Sequence, residues 1–509
     1  MSTEEKIELA PVRIPRQEKT GIVLGLSLVP LIAFGVSILL ALISLFIFPF
    51  PWMIVAFFFW LTLGAIFGWV RIKKRTLFEW IPHLHKAMLR RLTGQSGYRR
   101  PAERADSLAD EEALERIRIA DEKSRTEALE WNEPEPGITP RPVKFTLPGQ
   151  ANEFQVYNTP EGRGILHDPV TKRVSAVVQI KNTKSFDLQD DDVKGERIDQ
   201  YGLNLDVVLA NRYVEAIIPT DITSLQSPEQ SLNYYRSQVR LNGADPNINP
   251  IAAQGYEDYL ARNLMTYHMQ YYTFVFSVDE MRTLIREHGS NMAGLLSAID
   301  TLCRSLEDDL SSNKIDIEHW LNARERVEAA YETFTLNKDE PIVGAYAYWS
   351  SLRANACWHR AYVIDEWPQK DIKPGFMSKL TKDLQFRHAV SIVYEAGYSD
   401  EALTKVSHAI QDKEIALDIK RKAGQRISLA DRTEVEDLEQ REAELVAGSS
   451  EVVMRAFISI TASTKEELEK FHSQTIAASK RSGLVLYPCW DQQFAGVLAA
   501  GALAGVGID

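Results

Sequence analysis

Cysteine is scarce in this 509-residue chain. Cys303, Cys357 and Cys489 lie far apart and form no C-x-x-C pair, which excludes a zinc signature or a disulfide framework and fits a reducing, cytoplasmic setting. Positive charge is also in deficit: 58 Lys and Arg face 70 Asp and Glu, a net charge of −12. A protein that neutralises many phosphates needs a basic excess, so strong direct binding of nucleic acid by the chain as a whole is disfavoured.

Several catalytic signatures are missing as well. There is no G-x-x-x-x-G-K-[ST] to cradle nucleotide phosphates and no G-x-G-x-x-G opening a helix, which excludes an ATPase of the phosphate-loop type. H-E-x-x-H, a nucleophile elbow and H-x-E with C-x-x-C are absent too. The acidic cluster Asp187, Asp190, Asp191 and Asp192 lacks the glycine and terminal glutamate of a calcium loop and suits a helix N-terminus instead. His359, beside Cys357 in an apolar strand, reads as a satisfied core histidine. No catalytic residue, cofactor or metal site is therefore expected.

The longest absence is of charge. Between Lys19 and Arg71 no charged side chain occurs, and the stretch divides at Pro49 and Pro51 into apolar runs over about 21–48 and 52–70. Each meets the roughly 17 to 25 residues needed to cross about 30 Å of hydrocarbon, with the prolines where the chain reverses. Trp52 and Trp69 stand about 26 Å apart on a helical rise, one for each interface. Arg13, Arg16 and Lys19 precede the pair and Arg71, Lys73, Lys74 and Arg75 follow it. The positive-inside rule then places both termini and the main domain in the cytoplasm, against the inner face of a cell membrane. Gly64 and Gly68 form a G-x-x-x-G pair that suits close helix approach, either within the hairpin or to another helix.

Residues 76–100 follow at once. Leu77, Trp80, Ile81, Leu84, Met88 and Leu92 recur at helical spacing and share a face, with Lys86, Arg90 and Arg91 off it, which predicts a basic amphipathic helix in the anionic headgroup layer. Pro82 is expected near its start and Gly94 near its stop. His83 and His85, two apart, point in different directions and read as surface residues.

Residues 101–145 read as a charged, proline-bearing linker, and 146–509 as a mixed α/β cytoplasmic domain. Strand-like stretches are RVSAVVQI, YVEAIIP, YTFVFSV, HRAYVIDEW, HAVSIVYEA, VVMRAFISITA and GLVLYP. Helical patterning predicts helices near 191–210, 228–241, 249–266, 291–311, 317–334 and 465–481. A long charged segment over 398–446 reads as an antiparallel helical hairpin turning near Gly424 to Ser428. The closing LAAGALAGVGID is too short for a third span and reads as a buried or partner-facing helix.

Taken in order, the apolar hairpin, LFEWIPHLHKAMLRRLTGQSGYR, WHRAYVIDEWP, REAELVAGSSEVVMRAFISITASTKEELE and LYPCWDQQFAGVLAAGAL resemble an actinobacterial conjugation protein family. In it a PrgI-type two-span membrane subunit is fused to a domain like the N-terminal part of TraC-type conjugation ATPases, without the motor. The most specific residues are Glu79, Trp80, Pro82, Arg90, Arg91, Gly94, Gln95, Tyr98 and Arg99, then Trp358, His359, Glu366, Trp367 and Pro368. The end departs from the family, which closes on a Leu-Pro-Leu-Gly-Arg-Gly-type stretch. The resemblance implies a non-catalytic inner-membrane scaffold of a type IV secretion machine for conjugative DNA transfer or protein secretion, one that oligomerises and seats a separate ATPase beside channel subunits. The alternatives are a membrane subunit of another secretion system and a degenerate nucleotide-binding enzyme.

Overall fold

The computed structural model describes residues 28–72, 75–92, 96–99, 141–150, 152–181, 190–226, 249–262, 265–337, 340–368, 375–396, 399–422, 429–446 and 452–505, with 119, 232, 235–237, 239 and 427 between them. The chain divides into two compact units, one within 16–96 and the other running from Gly97 onward.

In the first unit, helices α1 (Leu28–Ile47) and α2 (Trp52–Trp69) pack on each other. Pro49 and Pro51, which have no N–H to donate, sit in the reversal, and their carbonyls accept from Met53 and Ile54 to open α2. The second apolar run is thus helical to within one residue of expectation. Of the first run, 21–27 lies outside the described residues. A Cβ on Gly64 would stand 2.5 Å from Ser37 Cβ, so this glycine of the G-x-x-x-G pair serves the hairpin's own packing. Aromatic side chains face outward, with Phe46 90% exposed and Phe50 73%. Side chains are described over 34–47 and 52–68 of the pair, and among the described residues no helix is long and apolar enough to cross a membrane.

A two-residue ribbon, β1 (Arg71–Ile72) against β2 (Arg75–Thr76), leads into α3 (Leu77–Leu92), which packs on α1 and α2. The described part of α3 departs from its predicted layout in three ways. Trp80 and Ala87, seven residues apart, are buried, while Ile81, Leu84, Met88 and Leu92 are exposed, so only one border of the apolar stripe serves the unit's own core. Arg91, seven residues after Leu84, falls within that stripe at 100° per residue rather than off it. Pro82 is the sixth helical residue rather than a first-turn one, and it leaves the Phe78 carbonyl without its usual donor.

Among the described residues the second unit is built on a fourteen-stranded sheet. Its strands in chain order are β3 (Gly97–Arg99), β4 (Val143–Thr146), β5 (Glu153–Asn158), β6 (Gly164–Asp168), β7 (Arg173–Ile180), β8 (Val214–Gln226), β9 (Met265–Ser277) and β10 (Ile317–Trp320), then β11 (Gly344–Ala347), β12 (Leu352–Ala354), β13 (Cys357–Glu366), β14 (His388–Ala396), β15 (Val452–Ala462) and β16 (Val485–Pro488). The order across the sheet is β3-β11-β12-β13-β15-β14-β8-β9-β7-β6-β5-β4, with β10 on β7 and β16 on β13. Every pairing is antiparallel. The class is therefore mixed, with segregated helices on an antiparallel sheet. RVSAVVQI, HAVSIVYEA and VVMRAFISITA are strands over their whole predicted lengths. Their unbroken apolar character follows from cover on both faces.

The helices of this unit are α4 (Asp191–Ala210), α5 (Pro250–Arg262), α6 (Arg282–Glu287), α7 (Met292–Ser312), α8 (Ala323–Thr335), α9 (Ser378–Thr381), α10 (Ser399–Lys422), α11 (Leu429–Val446), α12 (Lys465–Arg481) and α13 (Gln493–Gly501). The helix expected over 317–334 is corrected to β10 followed by α8. The boundary is a capping box in which Asn322 Oδ1 accepts from Glu325 N at 3.0 Å and Glu325 Oε2 accepts from Asn322 N at 2.8 Å. The helix expected over 249–266 ends at Arg262, and Met265 already pairs with Gln226 in the sheet. Most of the predicted helix 228–241 lies outside the described residues. The charged hairpin is observed as α10 and α11. Ser407 bonds Glu442, and Val406 packs with Leu403, Ile410 and Leu438, which fixes the two helices as antiparallel about the expected turn.

The sheet curls. Tyr98 on β3, at one end of the strand order, bonds Thr146 on β4, at the other end; its hydroxyl lies 2.9 Å from the carbonyl and 2.8 Å from Oγ1. Tyr98 and Arg99, expected in the juxtamembrane segment beyond the helix stop at Gly94, belong to this sheet, and Val143 begins β4 inside the expected linker. Helices α8 and α13 fill the concave side. Phe145 and Phe154 from one end and Leu352 and Ala361 from the other pack with Val327, Phe334, Phe494 and Val497. A Cβ on Gly496 would come within 2.6 Å of Ala361 Cβ, so α13 lies almost on the β13 backbone. Of the closing run LAAGALAGVGID, 498–501 end the buried helix α13, 502–505 are buried but not helical, and 506–509 lie outside the described residues.

Candidate functional site

On the convex side the sheet is covered in two separate places. Helices α4 and α7 bury Val174, Ala176, Val178, Ile217 and Phe274 beneath them. Helices α9 and α12 lie over Tyr362, Val390, Ile458 and Ile460. Between the two patches a cleft of about 760 Å³ opens onto β7, β8, β9 and β14, within the ~300 to 1,000 Å³ range of small-molecule sites.

Directly opposed residues of an antiparallel pair share a face, so the register builds the cleft floor. His268 on β9 stands opposite Thr223 on β8, which stands opposite His388 on β14; one step along, Gln270 opposes Asp221, which opposes Val390. The Thr223 hydroxyl lies 2.8 Å from His268 Nδ1 and 3.2 Å from the Thr381 carbonyl. With its proton given to that carbonyl, Thr223 accepts from His268. Gln270 Nε2 donates to Asp221 Oδ2 at 3.3 Å. Asp221 Oδ1 is closed off from solvent without a hydrogen-bond partner, and His268 Nδ1 stands 3.8 Å away. Burial pushes the His388 imidazole down, and its Nδ1 sits 2.8 Å from the Phe386 carbonyl.

One wall is aromatic. Tyr201 from α4 meets Tyr394 edge-on at 6.4 Å, and burial raises the Tyr201 and Tyr272 phenols, so both stay neutral donors. Around the opening stand Lys181, Arg197, Lys314 and Lys382 against the acids Asp221 and Asp316. Lys314 also pairs with Glu196. A local positive excess thus surrounds one opening in an acidic chain.

The residues singled out from the sequence do not converge on this cleft. Trp358 is half-buried, stacked on Tyr348 at 5.5 Å with Arg353 and Lys465 over its ring. His359, on the opposite face of β13, is fully buried between Thr461 Oγ1 (3.0 Å) and the Phe334 carbonyl (2.9 Å), and burial drives its pKa down to about 3. It is the satisfied core histidine that the sequence suggested. Glu366 is exposed at the end of β13, and Trp367 packs edge-on against Phe376. In the first unit Trp52 and Pro82 are exposed and Arg90 is half-buried. Lys73, Lys74, Gly94 and Gln95 lie outside the described residues, as do the side chains of Trp69, Arg71, Arg75, Glu79 and Arg99. Asp190 occupies the N-cap of α4 without a side-chain capping bond. Asp187 also lies outside the described residues.

One buried cation lies away from the cleft. Arg326 of α8 donates to Ser175 Oγ at 2.7 Å and has no carboxylate bonded to it among the described residues; burial lowers its pKa to about 9. Cys303 and Cys357 are buried free thiols and Cys489 is a partly buried one, and burial pushes all three up, away from the thiolate that reactivity needs. Among the described residues, no group of three or more His, Cys, Asp or Glu side chains could hold a metal ion.

The sequence did carry a signal for the cleft. In YHMQYY the polar His268 and Gln270 alternate with Met269, which marks one wet face of a central strand, whereas PTDITS is polar on both faces. No family model matches the chain, and no curated protein matches it.

Proposed function

We propose that the protein is a non-catalytic membrane scaffold: the charge-free hairpin anchors it in the inner membrane of a bacterial cell, and the sheet unit is a cytoplasmic docking platform. On this reading it belongs to a type IV secretion or conjugation machine, forms homo-oligomers and seats a separate ATPase beside channel subunits. The hairpin carries the proposal. Its support is the absence of any charged side chain between Lys19 and Arg71, since among the described residues no helix is itself long and apolar enough to cross a membrane. The two helices and the reversal between them expose Phe46, Phe50, Trp52 and Phe58, a surface that lipid covers at no cost and water does not. The exposed stripe of α3, with Arg91 inside it, suits the boundary between acyl chains and anionic headgroups, where the arginine stem lies along apolar surface and its head reaches the phosphates.

Docking is assigned to the sheet unit because it offers a charged helical hairpin, α10 and α11, whose core is small and its own. The reading is tested by membrane fractionation followed by detergent co-purification and mass spectrometry. The expected result is carbonate-resistant membrane association and recovery of a conjugation-type motor or channel subunit. A chain that pellets with membranes only at low salt, or returns with neither partner, refutes the anchor or the docking role respectively.

A further inference from the structure

We infer that the cleft between the α4/α7 and α9/α12 layers binds a small organic anion with a planar, donor-bearing ring, the chemistry of a purine nucleoside monophosphate. Three independent features converge on that class. The volume of about 760 Å³ is ample for a ring, a sugar and one phosphate. The inner floor presents two acceptors side by side, Asp221 Oδ2, which already accepts from Gln270 Nε2, and the Gln270 amide oxygen. Such a pair matches the amino and ring N–H groups on a purine edge and mismatches an aliphatic chain.

Charge supplies the third feature. Four cations surround the opening in a chain of net charge −12. Arg197 is fixed on α4, one helical turn before Tyr201, so the same helix offers a cation for phosphate and an aromatic face for a ring. Lys181 and Lys314 approach from the ends of β7 and α7. A bound ligand bridges α4 to α9 across the sheet and holds the two layers at a fixed separation.

The full chain in detergent is titrated calorimetrically with GMP, AMP and inorganic phosphate, alongside the double variant Lys181→Glu with Arg197→Glu. Saturable binding of GMP or AMP, at least tenfold tighter than phosphate and weakened at least tenfold in the variant, is the expected result. No saturable binding of either nucleotide up to millimolar concentration overturns the inference. So does nucleotide binding that the variant leaves unchanged, because the ligand then sits elsewhere. Both substituted residues are exposed, and matching thermal midpoints of variant and parent without ligand separate a lost site from a lost fold. Asp221→Asn is a second probe: it weakens the nucleotides and leaves phosphate unaffected, and equal loss for all three also counts against the ring-edge role.

Discussion

The two units of this chain obey opposite burial rules. Within 16–96 the small hydroxyl of Ser44 is buried and donates to the Ala41 carbonyl at 2.7 Å, while Phe46, Trp52 and Phe58 of the hairpin face outward and Trp80 of α3 is buried. From Gly97 onward aromatics such as Phe154, Phe274 and Phe334 are buried, and a guanidinium or imidazole that enters the core does so with hydrogen bonds. On the proposed membrane reading, one sequence encodes two solvents. A side chain's hydropathy assigns it to the inside only where water is the outside.

The sharpest way to break the contrast is to place a charge on the hairpin. Phe58→Arg puts a guanidinium on an outward-facing position of α2, where insertion costs about 2.5 to 3.5 kcal/mol at mid-membrane. The expected outcome is loss of the membrane-bound pool on fractionation. The same change at exposed Tyr346 in the sheet unit leaves partitioning as it was.

Acid probes the other rule. His359 is held at about 3 against an unfolded value near 6.5, so the unfolded chain binds the extra proton. Stability from the neutral imidazole is complete above about pH 6.5 and is lost as pH falls from there toward 3, on the order of 4 kcal/mol in all. Urea titrations of the full chain between pH 7 and 4 are expected to show this decline, with a shallower slope in His359→Gln.

Packing comes next. Gly496→Val drives a branched side chain into Ala361 and Cys489 and is expected to cost about 1 to 3 kcal/mol, read as a lowered thermal midpoint. Smallest, and opposite in sign, is Arg326→Met. Burial disfavours the charged guanidinium and lowers its pKa to about 9, and removing this charge, which has no carboxylate bonded to it among the described residues, raises stability at pH 7 by about 1 kcal/mol, because Ser175 keeps its bond to the Ala504 carbonyl.

Legibility followed periodicity. Long central strands and capped helices stood out because burial on both faces, or a strict helical stripe, leaves a pattern several residues deep. Asp191–Ala210 and Lys465–Arg481 match their predicted limits. The short strands β3, β4, β10, β11 and β12 left no such pattern, because three or four residues cannot display alternation and their pairing is set by distant partners. Asn322 and Glu325 did spell a helix start, yet the preceding IEHW also fits a helical stripe, and only its pairing with β7 decides the matter. The cleft was hidden for a related reason. Asp221 and Gln270 are 49 positions apart, and nothing short of the β8–β9 register places them side by side.

The strand β3 has a mechanical consequence. Residue 96 ends one unit and Gly97 begins the first strand of the other, so tension applied along the backbone at this point enters the sheet through three residues and the Tyr98–Thr146 clasp. A short edge ribbon peels one bond at a time, whereas the long inner strands share load. Under force the first part to yield would be the seam where the curled sheet meets itself, leaving the helices within it still in place.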